Sequence, residues 1–93
     1  MASKVIFSVH ALRRMAERRI AIEDVESGLS TKEVIESYPT DLPYPSCLVL
    51  GWSGSRPIHV VLAENAADNQ TIVITVYEPD PVQWDESFRR RRP

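Results

Sequence analysis

One cysteine, three glycines and two histidines are a sparse supply, and each scarcity removes a class of function. Cys47 has no partner for an internal disulfide, which fits a reducing compartment. His10, Cys47 and His59 lack metal-site spacing, so no bound metal is expected. So few glycines leave no phosphate-cradling loop and no sign of another cofactor. The stretch GWSGS resembles a nucleophile elbow only superficially, because its last residue is Ser55 and it reads as a hairpin. No apolar run approaches the ~20 residues of a membrane span, and MASKVIFS is too short for a secretory signal. A cytoplasmic protein with no membrane partner is expected.

The composition, 43% hydrophobic and 26% charged, is that of an ordinary globular chain, read as one domain over 1–93. A chain of this length buries about 60–70% of its unfolded surface, so its core is small. The net charge of −2 conceals a segregation of sign. Residues 1–19 hold five Lys or Arg against Glu17, residues 20–88 hold twelve acids against Lys32 and Arg56, and Arg89, Arg90, Arg91 and Arg92 follow. If the two basic ends meet, they form a positive patch that would attract a polyanion. The alternative is that the arginines neutralise the acidic middle.

Hydrophobic periodicity gives the elements. Lys4-Val5-Ile6-Phe7 reads as a strand, and residues 8–20 as a helix capped by Ser8. Its core face is expected to be Val9, Leu12, Met15, Ala16 and Ile20, with His10, Arg14 and Arg18 on the opposite stripe. A second helix restarts at IAIEDVESGL, buries Val25 and Leu29, and is expected to loosen and end over Gly28 to Ser30. KEVIESYP then reads as a strand, with Val34, Glu36 and Tyr38 on one side, and a proline-rich connector leads to SCLVLGW. Ser53-Gly54-Ser55 turns into RPIHVVLAE, and a polar loop leads to QTIVITVYE. PIHVVL and TIVITV are nearly all apolar, as central strands are. Asp80, Pro81 and Gln83 resemble a capping box, so a terminal helix is expected, with Trp84 and Phe88 toward the core and Asp85–Arg89 and Glu86–Arg90 as i,i+4 pairs. The arginines beyond it are expected to fray into a flexible basic tail. The expected fold is α+β in the order β-α-α-β-β-β-α, one strand, two helices, a three-strand meander and a last helix, with helices on one face of a mainly antiparallel sheet.

The residues able to carry chemistry are His10, Arg14 and Arg18 on the helix, His59 and Tyr77 on strands, and Arg13, Arg89 and Arg90 for nucleic acid. Cleavage of RNA needs a base for the 2′-hydroxyl proton, a donor for the leaving oxygen and fixed cations for the extra negative charge. Histidine, arginine and tyrosine supply all three without metal. Each also has an ordinary reading. His10 and the arginines form a solvated stripe, His59 is a half-buried histidine bonded to a backbone carbonyl, and Tyr77 is a core aromatic with its hydroxyl at the rim. Position decides between them. One concave surface holding His10, Arg14, His59 and Tyr77 would favour chemistry, whereas histidines on opposite sides of the sheet would return His10 to a solvated face.

The ordered set HAxxRMxxRxI, EVIESYP, PYPS, PIHVV and TVYEPDPxxW resembles a family of small bacterial and archaeal proteins known only as a domain of unknown function. That family is similar to the RelE and BrnT group of toxin ribonucleases. The resemblance implies a RelE-like fold, a type II toxin that cuts free or ribosome-bound messenger RNA, and a small zinc-containing helix-turn-helix antitoxin of the MqsA kind as partner. A homo-oligomer is compatible with it. The family's recurrent polar positions fall on His10, Arg14, Arg18, His59, Tyr77 and Glu78. The chain departs from the pattern at Arg19, where glycine is common, and at Ala21, where a serine or threonine cap is usual. A non-catalytic module that binds RNA or protein through its arginine face, and an inactive toxin relative, are the alternatives.

Overall fold

The computed structural model describes residues 4–93; residues 1–3, read above only as part of a stretch too short for a secretory signal, lie outside it. Strand β1 (Lys4–Phe7) leads into helix α1 (Val9–Glu17) and helix α2 (Ile22–Ser30), followed by strands β2 (Glu33–Tyr38), β3 (Ser46–Ser53), β4 (Arg56–Asn65) and β5 (Gln70–Tyr77). The strands form one sheet in the order β1-β5-β4-β3-β2. β1 runs parallel to β5, and every other neighbouring pair is antiparallel. The fold is α+β, two helices on one face of a five-stranded mixed sheet. The apolar strands β4 and β5 are internal, as their composition predicts.

Two expectations about element order are corrected. Four strands follow the helices, because Glu33–Tyr38 pairs with β3 through a bulge at Ile35. No terminal helix forms. Asp80 starts a single turn, accepting from Val82 N–H through Oδ1 and from the N–H groups of Gln83 and Trp84 through its carbonyl. Asp85 then takes Ser87 N–H and Oγ on one carboxylate oxygen, a local bond that competes with helix continuation. The chain doubles back, with Phe88 at φ 60° and Trp84 bridged to Arg91. Residues 80–93 therefore form a strap, and its contacts include the arginines past Arg90, where a flexible tail was expected. Arg91 stacks over Trp84, and Arg92 donates to the carbonyls of Gln83 and Pro81. The expected Asp85–Arg89 and Glu86–Arg90 pairs are replaced by Arg89–Glu33 and Arg91–Glu36.

Helix α1 is anchored at both ends. Ser8 Oγ accepts from Ala11 N–H while donating to the Ile74 carbonyl, and Ser8 N–H donates to Val73. At the other end, Ile20 N–H reaches the Met15 carbonyl and Arg19 N–H that of Ala16, with Arg19 at φ 55°. This is the reversal that usually takes glycine in the left-handed position, so the departure at Arg19 is a strained helix stop. The helix consequently ends at Glu17 instead of running to residue 20.

Docking Ser8 onto β5 turns Ala11 and Met15 to the sheet, where they join Ile20 and Val25 against Val49, Ile58, Val60, Leu62, Val73 and Val76. The expected core face is corrected accordingly. Val9 is 73% and Leu12 43% exposed, and Ala16 is exposed as well.

Helix α2 lacks a side-chain cap at Ala21, but Asp24 accepts from Ala21 N–H at 2.8 Å and from Ser53 Oγ at 2.7 Å. Those two bonds, the backbone one first, hold the Asp24 carboxyl below its ordinary pKa. The helix ends at Ser30, within the stretch expected to close it, and Gly28 is still helical. Gly28 has a packing role. It lies on Gly51 of β3 so closely that a Cβ at Gly51 would stand 2.1 Å from the Gly28 carbonyl oxygen. Only glycine on the strand lets helix and sheet approach this far.

Candidate functional site

Side chains alternate along β4, so Ile58 and Val60 face the helices while His59 points to the sheet's other face. There it stands opposite Leu50 of β3 and Tyr77 of β5. The strap covers it, with the Trp84 ring edge-on at 4.4 Å between centroids. Phe88 packs beside it on Trp52. His59 Nε2 lies 2.8 Å from the Phe88 carbonyl oxygen, and its Nδ1 lies 3.2 Å from the Tyr77 hydroxyl. A carbonyl can only accept, so Nε2 carries the hydrogen and Nδ1 accepts from Tyr77. Burial pushes the His59 pKa below its ordinary value, with the Phe88 carbonyl opposing in part. The imidazole is therefore neutral near pH 7 and fully committed. It is a buried histidine on a backbone carbonyl, the ordinary fate weighed above, with a tyrosine added.

Tyr77 is half-buried, and burial raises its pKa. It borders a cleft of about 480 Å³ between the end of β5, the end of α1 and the strap, with Arg18, Arg56, Glu78, Gln83 and Trp84 around it. Arg18 is held there by a 2.7 Å bond from Nη1 to the Val76 carbonyl. Arg56 is spent on structure. Its Nε meets Glu78, its Nη atoms meet the carbonyls of Arg19 and Arg18, and Asp24 lies 3.7 Å away. Nearby, Tyr38 donates to Glu36, which lowers the Glu36 pKa and pushes that of Tyr38 up to about 12. Arg91 holds Glu36 from the strap.

Of the residues expected to carry chemistry, Arg18 and Tyr77 share the cleft, and His59 stands behind Tyr77. His10 and Arg14 are not among its lining residues. His10 lies exposed in the first turn of α1 on the helix side, so the two histidines are on opposite sides of the sheet. Arg14 is paired with Glu17. Arg13 is exposed and makes no side-chain bond among the described residues. Arg89 is taken by Glu33, and Arg90 is exposed, its carbonyl receiving Asp85 N–H. Two participants escaped the sequence reading, Arg56 and the Glu36–Tyr38 pair. Arg56 had one signal, as one of only two cations in the acidic middle of the chain. Elsewhere, a mainly apolar hollow of about 660 Å³ beside Pro39, Tyr44 and Pro45 includes Cys47, whose thiol pKa is raised by burial.

Residues 7–78, from the end of β1 to the glutamate on Arg56, match a family described as a domain of unknown function, DUF4258. The chain belongs to this family. No curated protein and no solved structure matches it. The DUF4258 region contains both helices, His59, Tyr77 and Arg18. The strap that covers His59 lies beyond it.

Proposed function

We propose that this DUF4258 protein is a metal-independent endoribonuclease of the type II toxin kind, related to the RelE and BrnT toxins, with messenger RNA as substrate and a small antitoxin as partner. One observation carries the reading. Tyr77 lines the same cleft as a fixed arginine, Arg18, and its hydroxyl lies 3.2 Å from the neutral Nδ1 of His59, to which its proton is directed.

That arrangement suits transesterification at an RNA phosphate. The 2′-hydroxyl proton passes to Tyr77 Oη as the tyrosine proton passes to His59 Nδ1. The 2′-oxygen then bonds to phosphorus, the bond from phosphorus to the 5′-oxygen breaks, the 5′-oxygen takes a proton from water in the open cleft, and His59 returns its proton through Tyr77 to the hydroxide so formed. Arg18 sets its charge against the extra negative charge of the transition state. His59 acts through Tyr77, and Arg56 positions the turn that carries Arg18. His10 and Arg14 have no part in this step.

Mapping cleavage of ribosome-bound and free messenger by primer extension tests the proposal. Tyr77→Phe and Arg18→Ala should each slow cleavage by roughly 10²-fold or more, with circular dichroism unchanged and growth arrest on induced expression relieved. Full activity in both variants, or an inert native protein, overturns it.

A second reading has its own observation. Arg14, Arg56, Arg89 and Arg91 are each answered by a carboxylate of the same molecule, which suits a non-catalytic protein-binding module better than a polyanion binder. A polyanion binder loses affinity for single-stranded RNA with a log–log salt slope of about −0.7 per phosphate contacted, and a slope near zero would favour the module.

A further inference from the structure

Both helices turn a face away from the sheet, and the two faces complement each other. On α1, the residues opposite the buried Ala11–Met15 stripe are Val9, Arg13 and Ala16, with Leu12 beside them. Val9 and Leu12 are large, apolar and exposed, and the Arg13 side chain meets no partner among the described residues. On α2, opposite Val25 and Gly28, stand Glu23 and Glu26, with Ile22 at their border, 45% exposed. Neither glutamate is paired among the described residues, although Glu17, Glu33, Glu36 and Glu78 all are. An unspent cation among apolar side chains thus lies on one helix, and two unspent anions beside an isoleucine lie on the next.

We propose that these faces join two copies of the chain, with α1 of each lying across α2 of the other, Arg13 facing Glu23 and Glu26, and Val9, Leu12 and Ala16 covering Ile22. Both helices sit on the same side of the sheet, so a two-fold axis satisfies both faces at once and makes every contact twice. A head-to-tail contact would leave one basic and one acidic face open on each assembly. RNA would neutralise Arg13 but leave Val9 and Leu12 uncovered and meet Glu23 and Glu26 with like charge. Two nine-residue helices, each about 13.5 Å long, make a small interface, and small interfaces with a polar share are weak and salt-sensitive. The dimer is a weak one that leaves the strap face free. This inference does not depend on the ribonuclease reading.

Sedimentation equilibrium of the full chain over a wide concentration range, at low and high salt, tests it. The native protein should dimerise at low salt and dissociate as salt rises. Leu12→Asp should weaken dimerisation at least 10-fold, and so should Arg13→Glu and Glu26→Arg singly. Combining the last two in one chain should restore it in part, since the exchanged contact between positions 13 and 26 again joins opposite charges while Glu23 is left beside a like charge. All three positions are exposed, and circular dichroism should show the native spectrum in every variant. A protein monomeric at all concentrations, a dimer indifferent to Leu12→Asp, or a failure of the double exchange to restore association would each overturn the proposal.

Discussion

The two faces of the sheet are built on different principles. The helix face is apolar and regular, with Ala11, Met15 and Val25 on valines and isoleucine of the central strands and two glycines in backbone contact. The strap face combines aromatic rings, a buried histidine and exposed ion pairs under a segment without regular structure. Shape holds the first together. Directional bonds hold the second, and they also set protonation states, which is why the titratable chemistry collects there.

The largest expected effect tests shape on the helix face. Gly51→Ala places a methyl against the Gly28 backbone, which cannot rotate away, and should cost more than about 3 kcal/mol or abolish folding, as urea denaturation would show. Next comes the anchor of the other face. Trp84→Ala should cost about 3–5 kcal/mol in the same assay, and local hydrogen exchange should rise through the strap before it rises in α1 or α2.

The third test separates the faces by pH. Burial lowers the pKa of His59, so below about 6.5 the unfolded chain binds a proton that the folded chain refuses. Stability contributed by the neutral imidazole is complete above that value and declines as pH falls. His59→Gln should flatten the dependence just below about pH 6.5 in urea titrations, whereas the carboxylates Asp24 and Glu36, held low by their hydrogen bonds, lose their contributions only in more acid solution. The smallest effect is a gain. Arg19→Gly should relieve the left-handed residue at the end of α1 and raise stability by about 0.5–1 kcal/mol, leaving the strap face unchanged.

Much of the helix face was legible in the sequence because its rules are local. Ser8 capped its helix as its side chain allows, Gly54 took the positive φ of the β3–β4 turn, and the apolar runs became internal strands. The orientation of α1 was not legible, because its short sequence has apolar residues on two sides and the bonds from Ser8 to β5 choose between them. The strap misled for a related reason. Trp84 with Phe88 and Asp85 with Arg89 fit helical spacing, but Arg89 and Arg91 are claimed by Glu33 and Glu36, more than fifty positions away. Of the candidate site, the meeting of His59 and Tyr77 follows from the β4–β5 register, which a hairpin between two apolar strands nearly dictates. The separation of His10 from His59 follows from which face receives the helices, and no local pattern states that.

The parallel pairing of β1 with β5 has a consequence for how the protein is made. Among the described residues, β1 has β5, made after the other strands of the sheet, as its only neighbour, and α1 rests on that same strand. The β2–β3–β4 meander can form while synthesis continues, but the amino-terminal strand and helix wait with their apolar sides uncovered until β5 emerges. The domain therefore closes in a late step that joins its two ends, and slow translation between β4 and β5 would lengthen the time in which those surfaces are open to aggregation or to chaperones.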